Sequence, residues 1–140
     1  MTLCVLDASF TFQWLFEDEA SPEGDAALAS VRLKGAMVPA LWPVEITNVL
    51  GIAGRRGRLT TDGVADALTL LQSLLLDVVE PSMLAEAGVI LGLMRQHRLT
   101  AYDATYLELA MRLRLPLATK DRDLLVAAPL VGVPVFAIVP

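Results

Sequence analysis

The chain has 140 residues, enough for one domain with a real hydrophobic core and no need of disulfide or metal staples. Sixteen acidic against eleven basic residues give a net charge of −5, which argues against a uniformly basic, phosphate-coating surface. Hydrophobic residues make up 55% and leave apolar surface over for a partner, yet no uninterrupted apolar run approaches the roughly 20 residues of a membrane helix.

LCVLDAS, residues 3–9, is a short apolar run ending in Asp7, the pattern of a strand buried on both faces. Asp7 arrives with no basic segment and long apolar run before it, which argues against a secretory signal. Cys4, the single cysteine, falls in this strand as a small core hydrophobe, in keeping with the reducing cytoplasm. A helical stretch follows, then a helix from about Ser21 to Leu33 and a brief strand from Ala36 to Pro39. Leu41 to Arg56 reads as a helix that tolerates Pro43 in its first turn and ends at Gly57. Around it, Trp42, Ile46, Val49 and Ala53 form an apolar stripe with Glu45 on its flank. Thr60 or Thr61 caps the next helix, which runs to about Leu76, and DVVEP supplies a third strand. Ser82 caps a helix ending near Arg98, LTAYDATYLELA forms another, PLAT a short strand, DRDLLVAA a last helix and VPVFAIV a last strand.

Short apolar strands alternating with helices predict an α/β fold over residues 1–140, a central parallel sheet with helices on both faces. Ligands in such sheets bind beyond the carboxyl ends of the strands. Asp7 closes the first strand, Asp121 lies just past PLAT, Asp103 opens a helix after the His97-Arg98-Leu99 bend, and Glu45 sits in the first or second turn of the Pro43 helix. Singly, each acid is accounted for as a helix N-terminal charge, stabilising by about 0.3–1 kcal/mol. Thr100 and Asp103 even have the spacing of a capping box. Together at one sheet edge they would repel, by about 4 kcal/mol per pair at ~4 Å and an effective dielectric of ~20, unless a cation sits among them. Carboxylates without a Cys or His set suit Mg²⁺ or Mn²⁺ rather than zinc. His97, the single histidine, is read as a surface or structural residue.

LCVLDAS, WPVEITNVL, LTAYDATYLELA and PLATKDRDLLVAA followed by GVPVFAIV resemble the successive acidic motifs of PIN-domain nucleases, in particular the VapC-type toxins of bacterial toxin–antitoxin pairs. The resemblance implies an acidic catalytic tetrad at Asp7, Glu45, Asp103 and Asp121, with Ser9, Asn48 and Thr119 as supporting polar residues. It implies Mg²⁺ or Mn²⁺ held by Asp7 and Asp103, and by Glu45 and Asp121 directly or through water. It also implies a cytoplasmic RNA-cutting enzyme silenced by an antitoxin. Asp123 is left outside the tetrad as a helix-stabilising charge.

Three other readings compete with this one. A receiver domain needs an acidic pair after the first strand and an Asp ending a middle strand, whereas Asp77 begins its strand. A haloacid-dehalogenase-type phosphatase needs an Asp where Ser9 stands. A PIN-like module that only binds RNA or protein remains as the alternative of a different class. Arg55, Arg56, Arg58, Lys120 and Arg122 are the candidate RNA-binding cations, and the apolar excess predicts a homodimer and an antitoxin partner. Trp14, Leu15 and Phe16 are the expected exposed apolar surface.

Overall fold

Val5 and Leu6 form the first strand, β1, which is wholly buried in the middle of a four-stranded parallel sheet. In the computed structural model, which describes residues 2–81 and 84–137, β1 leads into a short helix α1 (Ala8–Thr11) and two single-turn 3-10 segments, Phe12–Trp14 and Glu17–Glu19. The elements that follow are α2 (Pro22–Lys34), β2 (Ala36–Pro39), α3 (Leu41–Arg55), α4 (Thr61–Gln72), β3 (Leu76–Val79), α5 (Ala87–His97), α6 (Ala101–Leu113), β4 (Leu117–Ala118) and α7 (Arg122–Leu130). The strand order is β3-β2-β1-β4, so the first strand is flanked by β2 and β4.

Local chemistry sets the helix ends. The Ser21 hydroxyl accepts from the Gly24 N–H, Pro22 starts α2 where no donor is needed, and acids open the helix while Arg32 and Lys34 close it. Gly35 then takes φ 78°, and a Cβ there would stand 2.7 Å from the Leu75 carbonyl oxygen, so only glycine lets the chain turn into β2 beside β3. β2 spans the expected residues. α4 stops at Gln72, short of the expected Leu76, because Ser73 donates to the Leu70 carbonyl at 2.6 Å and Leu76 is taken up by pairing with Ala36. β3 accordingly starts at Leu76 rather than at Asp77.

The core gathers Val5, Leu6, Val31, Val38, Leu107, Leu109, Leu117 and Leu124 from the sheet and the helices on it. On α3 the inward stripe is Trp42, Ile46, Leu50 and Ala53; Leu50 takes the place expected of Val49, which is only half buried. Trp14, Leu15 and Phe16 are not the exposed surface expected of them. Phe16 is buried, and Trp14 and Leu15 pack half buried on the core, with the Trp14 indole donating to the Gly24 carbonyl at 2.8 Å. Exposed apolar side chains lie elsewhere, among them Val44, Leu84, Val89 and Leu91. Ser82, expected to cap α5, lies outside the described residues, as does the end of the expected last strand; within them that strand makes one parallel bridge, Val135 to Leu117. No helix of the described residues is long and apolar enough to cross a membrane.

Candidate functional site

Parallel pairing of β1 with β4 matches Val5 to Leu117 and Leu6 to Ala118, and the Asp7 N–H donates to the Ala118 carbonyl at 2.9 Å. One residue further along both strands, Asp7 and Thr119 therefore come side by side where the sheet ends. The Thr119 hydroxyl donates to Asp7 Oδ2 at 2.7 Å, and the Ser9 hydroxyl donates to the same oxygen at 2.7 Å. Thr119 Oγ1 also accepts from the Asp121 N–H, and Ser9 Oγ from the Lys120 N–H, each at 3.0 Å. These bonds clamp the β4–α7 turn onto the start of α1. Asp7, only 4% exposed, is fixed at the bottom of the site.

The other three acids reach this place from helix starts. Asp121 is the N-cap of α7, its Oδ1 accepting the Leu124 N–H at 3.0 Å. Asp103 lies in the first turn of α6 behind the cap Thr100, whose hydroxyl accepts the Asp103 N–H at 3.1 Å. The expected cap bond is thus present, and it leaves the carboxylate half buried. Arg98, in the left-handed conformation with φ 54°, turns the chain from α5 into this cap. Glu45 sits half buried in the second turn of α3, just after β2.

Burial is the first cause that pushes Asp7, Glu45 and Asp103 above the ordinary carboxylate range. Mutual repulsion adds to it. Asp7 feels Asp121; Glu45 feels Asp7 and Asp103; Asp103, raised to about 6, feels Asp121, Asp7 and Asp123. Hydrogen bonds from Thr119 and Ser9 to Asp7, from Tyr106 to Glu45 and from Thr100 to Asp103 act in the opposite direction without outweighing burial. Four acids from four elements therefore share one electrostatic site. Among the described residues, no three Asp, Glu, His or Cys side chains are gathered tightly enough to ligate one ion together. The donor set still fits Mg²⁺ or Mn²⁺, because Mg²⁺ takes one or two direct carboxylates and keeps water in its other positions.

Two residues here were not anticipated. Tyr106 is fully buried, and its hydroxyl donates to Glu45 Oε1 at 2.6 Å. Its only sequence signal is its position three after Asp103, on a neighbouring ridge of the same helix. Asp123, set aside as a solvated charge, is exposed yet adds to the field on Asp103.

The remaining expected residues divide. Lys120 and Arg122 are exposed on either side of Asp121. Asn48, one turn beyond Glu45, is exposed on α3. Arg55 is exposed at the end of α3, about 15 Å along the axis from Glu45 at 1.5 Å per residue, with exposed Arg56 following it. Arg58 is not the free cation expected. Its guanidinium bonds Asp18 at 3.0 Å and Glu19 at 2.8 Å and lies 3.6 Å over the Phe16 ring. An apolar cleft of about 390 Å³ between α5 and α6, lined by Leu84, Ile90, Tyr102 and Leu109, contains none of the four acids.

Comparison with known proteins places this architecture. No curated protein matches the chain. Among solved structures, that of PAE2754 from Pyrobaculum aerophilum is similar, with a TM-score of 0.67 and 26% sequence identity over 91% of this chain and 87% of that one. The PIN domain family model matches residues 4–129, a span that includes all four acids, and PIN domains are typically metal-dependent nucleases. With its parallel sheet and its acids at the sheet edge, the chain belongs to the PIN domain family.

Proposed function

We propose that this chain is a VapC-type endoribonuclease that hydrolyses phosphodiester bonds of RNA with Mg²⁺ or Mn²⁺ and is held inactive by a cognate antitoxin. The observation that carries the reading is the shared field of Asp7, Glu45, Asp103 and Asp121, a concentration of negative charge that a divalent ion would relieve.

Asp7 and Asp103 are the direct ligands in this reading, and Glu45 and Asp121 hold the ion directly or through water. When bound, the ion supplies an activated water and neutralises charge developing on the phosphodiester. The protein supplies the positioning. Ser9 and Thr119 fix the Asp7 carboxylate, Leu124 fixes that of Asp121, and Tyr106 fixes that of Glu45. Lys120 and Arg122 flank Asp121 and meet the phosphates on either side of the scissile bond, which reconciles RNA binding with a net charge of −5. Exposed Val44, Leu84, Val89 and Leu91 supply apolar surface for a homodimer and for the antitoxin.

Incubating the purified chain with single-stranded RNA and Mn²⁺, with and without chelator, tests the reading. Metal-dependent cleavage that disappears in folded Asp7→Asn supports it. Tight RNA binding without turnover at any metal concentration would replace it with the RNA-binding module. Growth arrest on expression, relieved by a co-expressed neighbouring gene product, tests the toxin assignment; harmless expression of a chain that cuts RNA would retain the nuclease and remove the toxin.

A further inference from the structure

The geometry points to Tyr106 as a positioning residue for the metal site, one that ties a single oxygen of Glu45 to α6 and leaves the other oxygen for a bound ion. The inference rests on the nuclease reading and deepens it.

Tyr106 is 0% exposed and belongs to the buried core face of α6. The phenol hydroxyl is the one polar atom of that side chain, and it needs a partner when buried. It donates to Glu45 Oε1 at 2.6 Å, across 61 residues of sequence. One hydroxyl therefore joins α3, which carries Glu45, to α6, which carries Asp103. Burial and the neighbouring Glu45 charge keep the phenol protonated, so at every physiological pH it remains a donor.

A free glutamate on a half-exposed helix face samples several rotamers, and each one misplaced weakens a metal site that has few direct ligands. With Oε1 engaged by Tyr106, Glu45 has one oxygen for the ion or its water. Outer residues that orient metal ligands typically contribute 10- to 100-fold in metal affinity or activity.

The test compares wild type, Tyr106→Phe, Glu45→Gln and the double variant. Mn²⁺ affinity is measured by titration calorimetry, and cleavage of a single-stranded RNA oligonucleotide by kcat and KM. The expected result is a 10- to 100-fold weaker Mn²⁺ affinity and a kcat lowered in the same range in Tyr106→Phe, with KM for RNA unchanged. In the Glu45→Gln background the same substitution should add nothing, because its effect passes through the carboxylate. Should Tyr106→Phe fold poorly, Glu45→Asp keeps the charge but cannot reach the phenol, and should show the same loss of Mn²⁺ affinity. Wild-type affinity and kcat in Tyr106→Phe, or an equal loss in both backgrounds, would overturn the role while leaving the nuclease reading intact. A wild-type chain that neither binds Mn²⁺ nor cuts RNA would overturn both.

Discussion

Asp7 and Thr119 stand 112 residues apart in sequence and 2.7 Å apart in the fold, with the Thr119 hydroxyl donating to a carboxylate that is almost fully buried. A hydrogen bond to a charged group contributes about 1.5–3 kcal/mol, and it does so only while Asp7 is ionised. Thr119→Val should therefore destabilise the metal-free protein by about that amount at pH 8 and by clearly less at pH 4. Urea unfolding at the two pH values checks this; an equal loss at both would assign Thr119 to packing alone.

Asp103 distinguishes a helix cap from a member of a repelling cluster. As a dipole charge alone, its replacement by Asn would cost up to about 1 kcal/mol with or without metal. With Asp7, Asp121 and Asp123 all raising it, Asp103→Asn should instead leave the metal-free protein as stable as wild type or more so. On adding Mn²⁺ at a hundredfold excess over its dissociation constant, wild type should gain about 2.7 kcal/mol, a gain largely lost by the variant at the same concentration. Denaturation curves with chelator and with metal decide it, and equal metal-induced shifts in the two proteins would return Asp103 to capping.

The same cluster gives the metal-free protein a definite pH dependence. Asp103 moves from 3.8 to about 6 on folding, so the folded state holds its proton more tightly than the unfolded chain does. Stability from this group is full below the unfolded value and is lost as pH rises through about 6; Asp7 and Glu45, also raised, act in the same direction. In chelator, the thermal midpoint of wild type should fall more steeply than that of Asp103→Asn between pH 4 and pH 6. Parallel profiles would contradict the shared field.

Arginines and lysine separate by their surroundings. Arg58 is spent on Asp18, Glu19 and the Phe16 ring, so Arg58→Ala should lower the thermal midpoint, most at low salt, and leave RNA affinity unchanged. Lys120→Ala and Arg122→Ala should do the reverse: stability stays, affinity weakens, and the slope of log affinity against log salt drops by about 1 for each phosphate contact removed. Filter binding at several salt concentrations reads both, and an unchanged slope in the Lys120 and Arg122 variants would remove them from the RNA path.

What the sequence determined by itself was most of what neighbours a few residues apart govern, the end of α4 and the choice of Leu50 over Val49 on α3 excepted. A strand buried on both faces must be a short apolar run, which is why β1 and β2 were legible from LCVLDAS and AMVP, and a helix start needs a local acceptor, which is why Thr60, Thr100 and Asp121 could be read as caps or helix-start charges. The order of acidic motifs was legible for the same reason, since each acid follows its own strand or opens its own helix. Tertiary structure alone decided which polar and apolar groups meet. β1 had to lie between β2 and β4 for Asp7 to reach Thr119, and Tyr106 had to be buried against α3 for its hydroxyl to find Glu45. The Glu17–Glu19 turn had to fold back over the end of α3 to capture Arg58 across 40 residues. Even the exposed look of Trp14-Leu15-Phe16 depended on packing, for that segment is too short to have a periodicity of its own, and only the neighbouring helices give it an inside. Periodicity and capping act over a turn or two of chain, whereas charge pairing and burial depend on the path of the whole backbone.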